Sequence, residues 1–240
     1  MTPGDPDLAR AFESTWPAAE TADAGGFRVG RGQGAGGRVS LAHALGPDWD
    51  EAAIPAVEAI HHAWHQRAMF RLPDSDAALA GALTRQGYTP ETPTAIMAAA
   101  CDQLAPAPVP EMTAFSIWPP LAIQGDIWAA GNIGTARQAV MPRVTLPRTA
   151  ILGRHADRAV GAAFVAADGP VAMIHAIEIL PGFRRKGMAT WLIRKAAEWA
   201  QAQGAARLAL AVSRRNVTAR ALYDRIGFAE IGGYGYWARH

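Results

Sequence analysis

The chain contains one cysteine, Cys101, among 240 residues. That excludes an internal disulfide and any zinc site built from several thiolates. A reducing, cytoplasmic setting fits such scarcity. Charge is sparse as well: 23 Lys and Arg against 21 Asp and Glu leave a net +2. So small a bias does not argue for a nucleic-acid partner, despite a pI near 9.0. Long apolar runs are also missing, and none reaches the roughly 18 residues of a membrane-crossing helix, so no membrane partner is expected. The opening Met1-Thr-Pro-Gly-Asp-Pro-Asp lacks a basic segment followed by an apolar one, so no cleaved leader is expected. Apolar residues, in contrast, make up 50% of the chain. That supports a sizeable core, in one large domain or two of roughly 100–120 residues.

Periodicity divides the chain into alternating strands and helices, an α/β (α+β) pattern with a mixed sheet. A short helix is expected at 8–16, and strands at 27–31 and 38–42 flank a Gly-rich turn. Over 50–66 the residues Ile54, Val57, Ile60, His61 and Trp64 share one helical face. A strand at 68–72, a helix capped by Asp74 or Asp76 and stopped at Gly87, and a strand at 94–98 complete this half. Leu104-Ala-Pro-Ala-Pro-Val-Pro110 then reads as a linker, its prolines favouring an extended spacer. Beyond it, a strand at 112–118, a helical stretch over 123–141, and strands at 148–154, 159–166 and 171–180 are expected. A helix at 189–203, a strand at 207–212, a helix at 217–225 and a strand at 229–239 close the chain.

A weak repeat links the halves at an offset of 140 positions. Arg67-Ala-Met-Phe-Arg-Leu, Asp76 and Gly87-Tyr88 lie over Arg207-Leu-Ala-Leu-Ala-Val, Asn216 and Gly227-Phe228. Strand–helix–Gly-aromatic–strand runs are common, so the pattern suggests a duplication without requiring one.

Residues 173–190 are the most informative stretch. An alternating strand passes through Pro181 into a basic, Gly-containing turn, Arg184-Arg185-Lys186-Gly187, and a helix begins near Ala189. A turn entering a helix aligns backbone N–H groups on one point, and three cations beside it suit a diphosphate. The spacing Arg184-x-x-Gly187-x-Ala189 resembles the acyl-CoA pyrophosphate loop of the GNAT superfamily of N-acetyltransferases. About 30 residues on, Asn216-x-x-Ala219-x-x-Leu222-Tyr223 and Gly227-Phe228 resemble the same family's second motif.

The resemblance implies a GNAT fold in residues 112–240, a degenerate GNAT-like domain without the loop in 1–104, and a linker at 105–111. It implies acetyl-CoA as co-substrate, held by Arg184, Arg185, Lys186, Gly187, Met188, Ala189 and Thr190, with Asn216 beside the pantetheine arm. Backbone groups around Ile177, Glu178 and Ile179 would pair with that arm as an added strand. Tyr223 would protonate the departing thiolate, the alternative being a helix-face aromatic packed on the core. Asn216 also suits an ordinary helix cap. Period-two alternation groups Met173, His175, Ile177 and Ile179 on one face. His175 matches a His of the arylalkylamine acetyltransferases and is the first candidate base. Glu178 points the other way unless a bulge re-aims it, and water is the remaining base.

Other patterns are weaker. Gly32-x-Gly34-x-x-Gly37 matches a dinucleotide fingerprint in letters but precedes a strand, so a hairpin loop is expected. His61 and His65 stand four apart with no third ligand, so no metal is expected. Trp118, Trp128 and Trp237 are candidates to line an acceptor pocket. The implied reaction is direct acetyl transfer to a primary amine of a small molecule or peptide, by a monomer or homodimer. The rival is a non-catalytic acyl-CoA sensor, which would need neither His175 nor Tyr223.

Overall fold

The computed structural model describes residues 5–239. Asp5 caps the first helix, α1 (Pro6–Ser14), by accepting from the Leu8 N–H at 3.0 Å. Next come β1 (Glu20–Ala24), β2 (Phe27–Arg31), β3 (Ala42–Ala44), α2 (Ile54–Ala63), β4 (Met69–Pro73) and α3 (Ala77–Arg85). The first half ends with β5 (Thr89–Pro90), β6 (Thr94–Ala100) and α4 (Cys101–Leu104). The second half begins with β7 (Ala114–Ile117), α5 (Ala122–Ala130), α6 (Thr135–Gln138), β8 (Arg148–His155) and β9 (Arg158–Asp168). It continues with β10 (Val171–Ile179), α7 (Met188–Ala202), β11 (Arg207–Ser213), α8 (Val217–Ile226) and β12 (Ala229–Ala238).

Three expectations fail for local reasons. The strand expected at 38–42 is a 3-10 turn, Gly37–Val39, and β3 starts only at Ala42. Arg38 leaves the sheet there for partners in the second half. The helix expected over 123–141 breaks after Ala130, where Gly131, left-handed Asn132 (φ 63°) and Gly134 interrupt it. Helix α2 ends at Ala63, so His65 lies beyond it in a left-handed conformation and shares no face with His61. His61 is buried, with Nδ1 3.0 Å from the Val57 carbonyl oxygen.

Among the described residues, all twelve strands join one sheet in the order β1-β2-β3-β4-β12-β6-β11-β10-β9-β8-β7, with β5 beside β12. The sheet does not divide at the Pro-rich linker. Strand β6, from the first half, lies between β11 and β12, while β12, from the second, lies between β4 and β6. Each half thus inserts its last strand into the other.

The register preserves the 140-residue offset. Thr94 in β6 faces Ser213 in β11, and the pair displaced by 140 positions, Pro73 and Tyr234, is found between β4 and β12. Ala98 opposite Ala209 is matched in the same way by Met69 opposite Ala238. At the centre Thr94 faces Tyr234, its own counterpart, so a local two-fold passes between them. The caps repeat as well. Asp76 accepts from the Leu79 N–H at 3.0 Å and Asn216 from the Ala219 N–H at 3.1 Å.

Helix α7 covers one face of the sheet through Ala172, Ile174, Leu208 and Leu210. On the opposite face α1 lies over Val171, Met173, Ala209, Ile96 and Tyr234, and α5 packs beside it over Ala162 and Phe164. Each fully buried Leu, Ile or Phe stabilises these layers by about 1.5–3 kcal/mol. Among the described residues no helix is long and apolar enough to cross a membrane, and no group of three His, Cys, Asp or Glu is arranged to hold a metal.

Candidate active site

Two parallel strands part in the second half. Strand β10 pairs with β11 only through Val171–Arg207, Ala172–Leu208 and Met173–Ala209. Beyond Met173 they diverge, and 174–179 faces 210–213 across a cleft at the carboxyl ends of both strands. Ligands of open α/β sheets bind at such points.

The turn at the mouth of this cleft makes an anion site of main-chain donors. Arg185 and Gly187 both have positive φ, 64° and 81°. Gly187 is the N-cap of α7, and no side chain caps the helix. The first-turn N–H groups of a 15-residue helix are therefore left to an incoming ligand. A Cβ at Gly187 would meet nothing within 4 Å, so the approach is open. Met188 is buried against Gly153 and contributes only backbone to this mouth.

The expected trio of cations does not converge there. Arg184 turns back onto β10, where Nε donates to the Ile179 carbonyl and Nη2 to Glu178 Oε1, both at 2.9 Å. Lys186 lies 5.3 Å from the Phe183 ring centre, and only Arg185 and Lys186 remain exposed without such a tie to β10.

A bulge in β10 overturns the simple alternation. His175 faces Phe164 on β9, but the next pairing is Glu178 with Ala162, and Ala176 adopts φ 52°. One extra residue on the strand shifts the following side chains to the opposite face. Ile177 and Ile179 consequently pack with Ile174 under α7. Glu178 moves to the face of His175, and its carboxylate lies where a Cβ on Gly131 would stand, 2.1 Å away. Trp128 secures the bulge by donating from Nε1 to the Ala176 carbonyl at 2.8 Å. Trp237 packs instead in the first half's core with Phe70 and Tyr88, away from Trp118 and Trp128.

His175 is boxed in. Its ring lies 5.0 Å from Trp16 and stacks on Phe164 at 6.2 Å. Arg38 Nη1 is 3.2 Å from Nδ1, and Thr15 Oγ1 is 3.0 Å from Nε2. A guanidinium only donates, so Nδ1 accepts and Nε2 carries the proton. Thr15 receives that N–H and donates its own proton to the Ala11 carbonyl at 2.5 Å. Burial, and then the charge of Arg38, hold the imidazole well below its ordinary pKa. A neutral ring whose lone pair already faces a cation is a poor proton acceptor, which argues against the expected base.

Tyr223 is 8% exposed, in the core cluster that includes Ile174 and Val212 on the two cleft strands. Burial pushes its phenol up to about 12, so it stays protonated at neutral pH. Asn216 spends Oδ1 on its helix cap, leaving its amide donors. Cys101 is buried, and burial, then Asp102, raise its thiol to about 11, an inert state.

Comparisons with known proteins bear on the family of the second half and on the fold. The model of the Acetyltransferase (GNAT) family matches residues 137–228. Aminoglycoside N(6')-acetyltransferase type 1 of Acinetobacter genomosp. 13 is 32% identical over 71 residues, 30% of this chain and 49% of that protein. The chain thus spans about half the length of the curated relatives it matches. A GCN5-related N-acetyltransferase from Kribbella flavida superposes with TM-score 0.68 at 19% identity, over 98% of this chain and 93% of that one. A tandem GNAT protein from the clavulanic acid biosynthesis pathway gives 0.59 at 12% identity, over 82% and 74%. The family match lies in the second half of the chain, and the mixed sheet has the fold of these solved GNAT proteins.

Proposed function

We propose that this chain is an acyltransferase that moves an acetyl group from acetyl-CoA to a primary amine, with the intracellular co-substrate placing it in the cytoplasm. One observation carries the reading: strands that part after Met173 lead directly to an uncapped helix N-terminus at Gly187. The diphosphate would lie on the N–H groups of 185–189, the pantetheine arm along the open edge of 177–179, and Asn216 beside it. The amine nitrogen attacks the acetyl carbonyl carbon, the C–S bond breaks, and the thiolate takes the Tyr223 proton. The amine's own proton leaves to Glu178 through Oε2, the oxygen that Arg184 does not hold, directly or through water, and His175 is assigned a structural part instead. Inert Cys101 supplies no acyl-enzyme route. The two sequence repeats, 1–104 and 112–240, would work as one interlocked unit.

Calorimetry with acetyl-CoA, followed by thiol release with aminoglycosides, polyamines and amino acids, tests the proposal. Tyr223→Phe is expected to keep acetyl-CoA affinity and lower kcat about a hundredfold. Absence of any heat from well-folded protein with acetyl-CoA rejects the assignment. Normal binding with no thiol release from any amine favours a sensor.

A further inference from the structure

The Gly-rich loop 32–40 is tightly engaged. It leaves the first half and inserts Ala35 and Val39 into the core around Trp16, Ile127 and Trp128, which belongs largely to the second half. Its Gln33 side chain accepts from Arg143 at 2.9 Å. Arg38, at its end, reaches β10. The guanidinium stacks 3.9 Å from the Phe12 ring centre, donates to the Phe12 carbonyl at 2.7 Å, and spends Nη1 on His175. The charged groups around it are Glu13 and Arg71, themselves paired.

His175 is the last residue before the bulge, and Trp128 holds the Ala176 carbonyl just beyond it. The bulge decides which face Glu178 occupies. We infer that Arg38 is a positioning residue for the second half's site: by fixing the His175 ring it holds β10 in the register that aims Glu178 to the acceptor face. A fixed imidazole on one side and the Trp128 indole on the other leave the bulge one arrangement. The first half would then act on catalysis through a single side chain and not only by completing the sheet. This inference rests on the reading of Glu178 given above.

Arg38→Met and Arg38→Lys in the full chain test it. Nitrogen-detected imidazole spectra of His175 and the amide shifts of 176–178 report the clamp without any substrate. In Arg38→Met, His175 should leave its single Nε2–H tautomer and the bulge amides should move. Acetyl-CoA affinity should stay within about twofold while kcat falls about ten- to a hundredfold, the cost of misplacing a reacting group by about an ångström. Arg38→Lys should recover part of kcat. Unmoved imidazole and amide signals overturn the inference, and so does an unchanged kcat beside altered spectra. If the wild type shows no heat with acetyl-CoA, the assignment of function fails, while the spectra still decide the clamp. Should Arg38→Met not fold, Arg38→Lys, which keeps the charge but cannot reach both acceptors, carries the same comparison.

Discussion

The two halves share the register of their central strand pairs, β4–β12 and β6–β11, to the residue, yet differ where a ligand would enter. In the first, Ala42 pairs with Phe70, 28 positions on; in the second, Met173 pairs with Ala209, 36 positions on. The longer connection holds Arg185, Lys186 and the uncapped Gly187. The shorter one carries Asp48, Asp50 and Glu51, and Asp50 caps its own helical turn by accepting from the Ala52 N–H at 2.9 Å. The first half still has a cavity of about 650 Å³ where β3 and β4 part, lined by His43, Leu45, Trp49, Arg71, Ser75 and Asp76. A cleft is therefore a property of the sheet, whereas an anion site is a property of the turn.

The largest effect should come from separating the halves. Expressed alone, residues 112–240 lack β6, which pairs Thr94–Ala100 with the whole of β11 and also flanks β12. Both strands would expose unpaired edges and lose Ile96 and Met97 from the core. Loss of cooperative thermal unfolding by circular dichroism is expected. A fragment that unfolds cooperatively and binds acetyl-CoA like the full chain would show that the insertion is dispensable.

Next is Gly187→Val. A branched side chain at φ 81° costs about 1–2 kcal/mol and crowds the donors, so acetyl-CoA affinity should drop about tenfold or more. As a control in the first half's turn, Gly46→Val adds a side chain whose Cβ would meet nothing within 4 Å and should leave that affinity unchanged. Equal losses in calorimetry would dissolve the contrast between the two turns.

Acid should find buried imidazoles in both halves, with His61 also lowered by burial. His43 is drawn down to about 4 by burial and then by Arg71, and His175 is held well below its ordinary value. The unfolded chain takes up these protons below about pH 6.5 while the folded one does not. Stability present above that pH is lost as pH falls, for His43 by at most about 3 kcal/mol on reaching about 4. Urea midpoints between pH 7.5 and 4.5 measure this, and His43→Asn should flatten the slope. An unchanged slope in that variant would mean that His43 is not held neutral.

Sequence reading reached the elements fixed by local chemistry. Caps at Asp76 and Asn216, the helix stops at Gly87 and Gly227, and the turn at Gly169 are visible because each depends on residues within a few positions. The bulge at Ala176 stood only as an alternative suggested by the family resemblance, since His-Ala-Ile-Glu-Ile alternates perfectly and the contacts of the distant Trp128 and Arg38 are not visible in it. The expected grouping of His175 with Ile177 and Ile179 fails for that reason. Arg184 misled in the same manner: a loop of three cations reads as one patch until Glu178, moved by the bulge, captures the first of them. The exchange of last strands was equally hidden, because β6 and β12 each read as an ordinary closing strand.

The smallest effect concerns the symmetry itself. Asp74 and Arg214 occupy equivalent repeat positions and meet across the local two-fold, Oδ2 to Nη2 at 2.6 Å. Arg214 also holds Glu230, which in turn pairs with Arg220. Asp74 is nearly half exposed, so solvent and salt screen the contact, and the pair contributes at most about 1 kcal/mol. Asp74→Ala should lower the melting temperature by only a few degrees, an effect that fades in high salt and is mostly absent when Arg214 is already Ala. A loss that persists in the Arg214→Ala background would mean that Asp74 works through the turn after β4, and that the repeat's symmetry leaves no energetic trace at its axis.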